Sequence, residues 1–376
     1  MVSLARASLI YEWKRYLAAV LAVAFAGLLI LVQIGTLLGQ LATSTVVLDR
    51  ASADLWVMAP NTESYDLARD MPGRYEMHLR MHPEVAAVQE MIFGFGDWRT
   101  PQGGKVTVFI MGLNTSNKSL SLPDTFDESL RLSLQEIGGV VVDEADIRKL
   151  KTRAGDRAEI NDKSIRVTGI TQGFRAIGGA YVFTSMVTAR DLMEGLIMDD
   201  YTQYFLIKLH DPAKLEAVQA ELQAQGDSAF YTVLTPEAFS YLSQDYWLTE
   251  SGAGAAFAFS AVLALLVGIA ITSQTLRAAI LASIKEYATL RALGVSVKSL
   301  RAVVLEQAFW VGIIGLMLSL ILSYAIYFIA KANHVAIAFP LWSVIASATF
   351  MLAVALLSGV LAIKPLYETE PADLLR

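Results

Sequence analysis

Lys285-Glu286-Tyr287-Ala288-Thr289-Leu290-Arg291-Ala292-Leu293-Gly294 is a compact mixed-charge stretch lying between two runs, 251–276 and 307–330, that contain no Asp, Glu, Lys or Arg. Each run exceeds the roughly 20 residues that a helix needs to cross about 30 Å of hydrocarbon. Two more charge-free runs, 16–48 and 332–363, meet the same condition. With 55% hydrophobic residues, composition also argues against a purely soluble fold. The pattern predicts a membrane protein, α-helical with four transmembrane helices.

The net charge of -6 conceals a division. Residues 49–245 carry 19 Lys plus Arg against 29 Asp plus Glu, whereas the remainder carries 11 against 7. Between the second and third apolar runs, 277–301 holds Arg277, Lys285, Arg291, Lys298 and Arg301 against Glu286 alone. By the positive-inside rule this segment faces the cytoplasm. Four crossings then put the N- and C-termini on the same side and the acidic part of the chain outside. The absence of cysteine leaves that external part neither disulfides nor thiolate metal sites.

Taken from the start, 1–15 reads as a cytoplasmic amphipathic helix with Arg6, Lys14 and Arg15 against Glu12. The run that follows is longer than a signal-peptide core, which predicts an uncleaved helix. Residues 16–48 would be about 50 Å long as a helix, so its far end projects from the membrane as one half of a stalk. An external α+β domain over 49–235 follows, with strands expected at Val106–Met111, Val140–Val142, Ile165–Ile170, Tyr181–Phe183 and Tyr204–Leu209. Pro212–Gln225 reads as a helix stopped by Gly226. Pro236–Glu250 places Phe239, Leu242 and Tyr246 on one stripe and is expected to run directly into the second membrane helix, the pair spanning 236–276. The rest divides into a cytoplasmic segment 277–301, a third helix 302–330, a short external turn 331–340, a fourth helix 341–363 and a cytoplasmic tail 364–376.

Catalytic patterns are scarce. Gly103-Gly104-Lys105 fails as a phosphate loop, because Val106 stands where Ser or Thr is required and Arg99 where the first glycine is required. It reads as a hairpin turn. His78 and His82 could share a helical face, but no third ligand is apparent, so they are expected to be an exposed structural pair. No catalytic, cofactor-binding or metal-binding residues are assigned. Gln33 in the first helix is explained by helix packing, and Arg301 and Glu306, where the third helix begins, are expected to cap, pair or snorkel.

Residues Glu286 to Gly294 resemble the signature that follows the second helix in the permease subunits of type VII ABC transporters, the MacB, LolC and FtsX group. More closely, Ala53-Asp54-Leu55-Trp56, Pro83-Glu84-Val85, the stretch Gly169 to Thr184 with Gly178-Gly179-Ala180, and Pro371-Ala372-Asp373-Leu374-Leu375 are similar to DevC-type permeases. The resemblance implies a non-enzymatic homodimer in the bacterial inner membrane, bound to two copies of a separate ATPase that holds the ATP and Mg. It implies that Lys285, Glu286, Tyr287, Ala288, Leu290, Arg291, Leu293 and Gly294 form a coupling helix docked on that ATPase. It further implies mechanotransmission, an amphiphilic substrate, a periplasmic adaptor and a TolC-like outer-membrane channel. Physical chemistry adds that Ala288, Leu290 and Leu293 would anchor, Lys285, Glu286 and Arg291 would set register, and Gly294 would stop the helix.

Two other functions share this layout: an FtsX-like regulator of a cell-wall hydrolase that transports nothing, and a two-component exporter of haem or a similar hydrophobic compound. The exporter reading predicts that an ATPase reading frame lies beside this one and that deletion makes a substrate accumulate. Chaining or lysis without accumulation would favour the regulator, and a porphyrin-induced absorbance change in the purified protein would favour the haem exporter.

Overall fold

A computed structural model describes residues 4–101, 103–176, 178–198, 200–283, 286, 289–291 and 293–362. Lys285, Tyr287, Ala288 and the tail expected at 364–376 lie outside the described residues. In chain order the helices are α1 (Leu4–Tyr11), α2 (Trp13–Ser44), α3 (Val46–Asp49), α4 (Tyr75–Arg80), α5 (Glu128–Ser133), α6 (Ile147–Leu150), α7 (Met186–Leu192), α8 (Leu215–Phe230), α9 (Pro236–Thr249), α10 (Ala253–Ala282), α11 (Val297–Ala332) and α12 (Leu341–Ala362). The strands are β1 (Leu55–Met58), β2 (Met71–Pro72), β3 (Val85–Arg99), β4 (Lys105–Leu113), β5 (Gly139–Asp143), β6 (Arg157–Ile160), β7 (Lys163–Thr171), β8 (Tyr181–Ser185), β9 (Tyr201–Thr202), β10 (Tyr204–Leu209) and β11 (Thr232–Leu234). The chain divides into two compact units, 1–39 with 255–376, and 40–254.

The first unit is helical. Trp13–Ser44, Ala253–Ala279, Lys298–Ala332 and Leu341–Val360 are each long and apolar enough to cross a membrane. Helices suit hydrocarbon because they satisfy their own backbone groups. Lipid tails are as apolar as leucine, so close packing holds such helices together, and that favours small side chains where they cross. Here a Cβ on Gly315 would lie 2.6 Å from Val23 Cβ, and one on Gly268 would lie 2.7 Å from Ala26 Cβ. Tyr16, Ala19, Val23, Ala26, Val311 and Met351 make up most of the buried cluster at these crossings.

The second unit is α+β and is built on β3. Its first half pairs with β10 and its second half with β4, both antiparallel. The main sheet runs β11-β1-β10-β3-β4-β8-β5-β7-β6, and a second pairing of β3 with β6 closes the last six of these strands into a ring. β4 with β8 and β5 with β7 are parallel, so the sheet is mixed. Because successive strand residues point to opposite faces, single strands feed two cores. Val108 and Ile110 of β4, Val140 and Val142 of β5 and Val182 of β8 enter one core, while Phe109, Met111, Val141, Tyr181 and Phe183 enter the other. Both faces being covered explains why these strands read as unbroken apolar runs.

Three local expectations are corrected. Gly226 does not stop its helix: α8 continues to Phe230, and the Tyr231 ring lies within 2.2 Å of where a Gly226 Cβ would be, so the glycine makes room for an aromatic ring. Residues 236–250 do not run directly into the next helix, since α9 ends at Thr249 and Gly252 turns the chain with a φ of 75° before α10 begins. His82 is buried: its Nδ1 accepts from the Glu84 N–H at 3.3 Å and its Nε2 lies 2.9 Å from Glu221 Oε2. A histidine tied at both nitrogens supports the fold, while His78 on α4 is exposed. The Thr100–Gly104 turn between β3 and β4 is the hairpin expected at Gly103-Gly104.

Asp146 carries a pH dependence. It is 5% exposed, and its Oδ2 has no hydrogen-bond partner among the described residues. Burial raises its carboxyl from 3.8 to about 6, with Lys149 and Arg175 opposing and Asp143 adding to the rise. Between those values the folded state keeps a proton that the unfolded chain has lost, so stability falls as pH rises through the window and is lowest above it. The buried charge at neutral pH costs at most about 3 kcal/mol. Asp146→Asn should therefore stabilise the large domain by about 1 to 2 kcal/mol near neutral pH and by far less near pH 4, read by urea unfolding of the full-length protein followed by tryptophan fluorescence.

Candidate coupling site

The chain between α10 and α11 carries Lys285, Glu286 and Arg291 and the turn chemistry that ends one helix and begins the next. Leu293 N–H donates to Thr289 O at 3.0 Å, Gly294 N–H to Arg291 O at 3.0 Å and Val295 N–H to Leu290 O at 3.1 Å. Gly294 has a φ of 91°. Those last two bonds, 5→2 and 6→1 about a left-handed glycine, are a Schellman stop, which satisfies carbonyls that a helix end would leave open. Two residues later Ser296 caps the next helix, its Oγ accepting from Ser299 N–H at 3.2 Å. A helix is thus ended and another begun within three residues. Any side chain other than glycine at 294 would be strained.

The apolar residues of the segment differ in exposure. Leu293 is 77% exposed, whereas Leu290 is half-buried, so of these two leucines Leu293 is the one free to enter a partner. Thr289 and Glu286 are exposed and Arg291 is half-buried. Arg301 is exposed on the second turn of α11, and Glu306 is half-buried further along it.

One contact is not legible from spacing. Arg15, at the start of α2, donates from Nη1 to Glu286 Oε1 at 3.1 Å, to Glu12 Oε2 at 2.7 Å and to Ser283 Oγ at 3.4 Å. Residues 271 positions apart are thereby tied, and the N-terminal helix pair holds the first turn of the charged segment. Both partners are substantially exposed, so solvent screens the pair and it contributes little stability. Its effect is to fix position. The sequence does show Glu12 and Arg15 three apart before an apolar run, but nothing in that pattern points at Glu286.

Within the large domain, the two ends of its chain are also tied together. Gln244 Nε2 on α9 donates to Thr45 Oγ1 at 3.3 Å, and Thr45 Oγ1 donates to Asp49 Oδ2 at 2.9 Å. Trp247 Nε1 donates to Asp66 Oδ1 at 3.3 Å, Ser64 also bonds Asp66, and Tyr65 N–H donates to Ser243 Oγ at 2.9 Å. Burial raises the Asp66 carboxyl above its ordinary value, and the bonds from Ser64 and Trp247 restrain that rise. Phe239 of α9 packs into an aromatic cluster with Trp56, Tyr65 and Tyr204, Trp56 lying 5.5 Å from Tyr204 and 6.1 Å from Phe239. Such pairs add about 0.5 to 1.5 kcal/mol each beyond area burial, so α9 is firmly seated on β1 and β10.

Four helices long and apolar enough to span a membrane, a mixed-sheet domain inserted after the first of them, and a charged turn between the second and third match the layout expected of a permease of the MacB and FtsX group. Residues 17–225 match the family model of the MacB-like periplasmic core domain, and residues 258–371 match that of the FtsX-like permease C-terminal region. The chain belongs to this family of MacB-like and FtsX-like permeases, and it is a membrane protein with a periplasmic domain. Solved structures similar to it include the periplasmic region of MacB from Actinobacillus actinomycetemcomitans, at 10% identity and a TM-score of 0.35, covering 51% of this chain and 94% of that one. The extracellular domain of the ABC-type transporter YknZ from Gram-positive bacteria matches at 10% identity and a TM-score of 0.32, covering 49% and 100%. None of the curated proteins matches the chain. Arg15→Ala should leave the yield of folded protein unchanged and speed amide hydrogen exchange from Glu286 to Gly294 several-fold; combining Arg15→Glu with Glu286→Arg should restore the protection that either change alone removes.

Proposed function

We propose that this chain is the permease subunit of an ABC exporter, driven by a separate ATPase that grips residues 285–294. The observation that carries this reading is the exposed Leu293 held on a helical turn that Gly294 ends, among cationic residues and between two apolar spans. An exposed leucine beside charges is poorly suited to water, whereas an apolar anchor with a charged rim is how protein partners are held. Lys285, Glu286 and Arg291 would set register there, and Ala288, Leu290 and Leu293 would supply the anchor.

In this reading two copies of the chain pair with two ATPase subunits, which bind the ATP and Mg. The charged segment and both termini face the cytoplasm of a bacterial inner membrane, in keeping with the positive charge of 277–301. Closure of the ATPases moves the segment, and the motion reaches the periplasmic domain through the two connections that bound it. One is the unbroken helix α2; the other passes through the turn at Gly252 into α9, which the Phe239 and Trp247 contacts seat in the domain. The work exports an amphiphile, with a periplasmic adaptor and an outer-membrane channel completing the path, as the likeness to DevC-type permeases implies.

Replacing Leu290 and Leu293 together with Asp should abolish co-purification of the ATPase and transport, while membrane insertion and the yield of folded protein stay as in the parent. Because Leu293 is the more exposed, Leu293→Asp alone should cause most of the loss. A complex that survives the double change would refute the docking role.

A further inference from the structure

Met77-His78-Leu79-Arg80-Met81 places three soft donors, two thioethers and an imidazole, within five residues of the periplasmic domain. The stretch is helical. α4 covers Tyr75–Arg80, and Met81, still in helical conformation, donates its N–H to Met77 O at 3.1 Å and to His78 O at 3.3 Å. At about 3.6 residues per turn, Met77, Met81 and His78 fall in that order within an arc of about 100°. Met81 lies one turn beyond the other two, and a long helical side chain leans back towards the N-terminus, which carries its thioether over Met77 and His78. Residues three and four apart on a helix have Cβ atoms about 5 to 6 Å apart, within reach of two flexible methionines.

The rest of α4 is committed elsewhere. Leu79, on the opposite side, is fully buried, and the Tyr75 ring packs 5.7 Å from Tyr231. Arg80 turns to its own flank, where Nε and Nη2 donate to Glu76 Oε1 at 2.8 and 2.6 Å and Nη2 also donates to Val88 O at 2.7 Å. Arg74, one turn before Met77 and His78, holds its guanidinium over the Tyr75 ring at 5.9 Å. His82 is buried and engaged at both ring nitrogens. The three soft donors differ from all of these. Met77 is 71% and Met81 75% exposed, His78 is exposed, and among the described residues nothing bonds the His78 ring.

A single exposed methionine needs no explanation, but two thioethers and an unengaged imidazole on one helical turn form a ligand set with a definite preference. Mg²⁺ and Ca²⁺ take oxygen ligands, and Zn²⁺ takes thiolate, imidazole or carboxylate, whereas thioether sulfur selects Cu(I). The chain has no cysteine, so no thiolate competes for such an ion. We propose that Met77, His78 and Met81 bind one Cu(I) ion on the surface of the periplasmic domain. Three neutral donors leave the ion's single charge uncompensated, which is tolerable because the site faces water. The assignment uses only side chains of the large domain and does not depend on the exporter reading.

The test uses the full chain in lipid nanodiscs under ascorbate, with Cu(I) offered as its coloured bicinchoninate complex. The parent should withdraw one equivalent more than a variant carrying Met77→Leu and Met81→Leu together, which keeps two apolar side chains of similar size and removes both sulfurs. Of the 12 methionines the other ten are common to both proteins, so their contribution cancels. Each single leucine change, and His78→Gln, should weaken binding by at least about tenfold, the loss usual even for a partner outside the ligand set. His78→Met should retain binding, because the substitute is again a soft donor. X-ray absorption by the copper should show two sulfurs and one nitrogen in the parent, and Zn²⁺ uptake should be the same in the parent and the double variant.

Equal Cu(I) uptake by the parent and the double variant would overturn the assignment, as would a copper spectrum showing only nitrogen and oxygen neighbours. Loss of binding in His78→Gln with both single leucine variants unaffected would reduce the site to a lone surface imidazole and would overturn it too. All of these changes fall on exposed side chains, so the yield of folded protein should equal the parent's. Retained binding in His78→Met guards against mistaking a general loss of structure for a lost ligand.

Discussion

Hydrocarbon tolerates neither an open backbone group nor an unpaired ion, and this chain is arranged around that constraint. The four apolar helices satisfy their own backbones and meet through small residues such as Gly315 and Gly268. Polar work is thereby pushed to the connections. At one end the Schellman bonds at Gly294 and the Ser296 cap close two helix termini within three residues, and the Arg15 contact with Glu286 pins the segment laterally. At the other end the turn before α12 leans on Gly35 through a backbone hydrogen bond.

The periplasmic domain obeys a different rule. Its strands alternate between two cores, so β4, β5 and β8 are apolar on both faces, and β3 supplies edges to both halves of the sheet. Shifting β3, β4, β5 or β8 therefore disturbs two packed cores at once. The aromatic cluster around Trp56 joins α9 to the sheet. On the proposed reading, a displacement delivered along α2 or α9 is therefore passed on to the sheet as a whole.

Much of this could be read directly from residue order. Charge-free runs longer than 20 residues declare the spanning helices, and the β-branched runs at Val106, Val140, Ile165, Tyr181 and Tyr204 all lie in strands. The longest strand, β3, was hidden because Gly94, Gly96 and the polar Gln89-Glu90 interrupt its pattern; those glycines admit Met193 and Ile110 against the strand. Gly226 and Gly252 show the reverse difficulty. Each is a plausible stop, yet only the second turns the chain, because the neighbour of the first is a tyrosine ring that needs the space. The Schellman stop at Gly294 was legible, since its chemistry is local. The Arg15 contact with Glu286 was not, since it depends on what lies across the fold.

On the proposed reading, the turn before Gly294 meets protein. The most direct measurement places a photoreactive benzoylphenylalanine at position 293 of the full-length chain in native membranes and identifies what it captures. A single adduct with the ATPase subunit is expected, and it should weaken when Arg15 is replaced. Capture of phospholipid with no ATPase adduct would show that Leu293 rests on the bilayer surface and would contradict it.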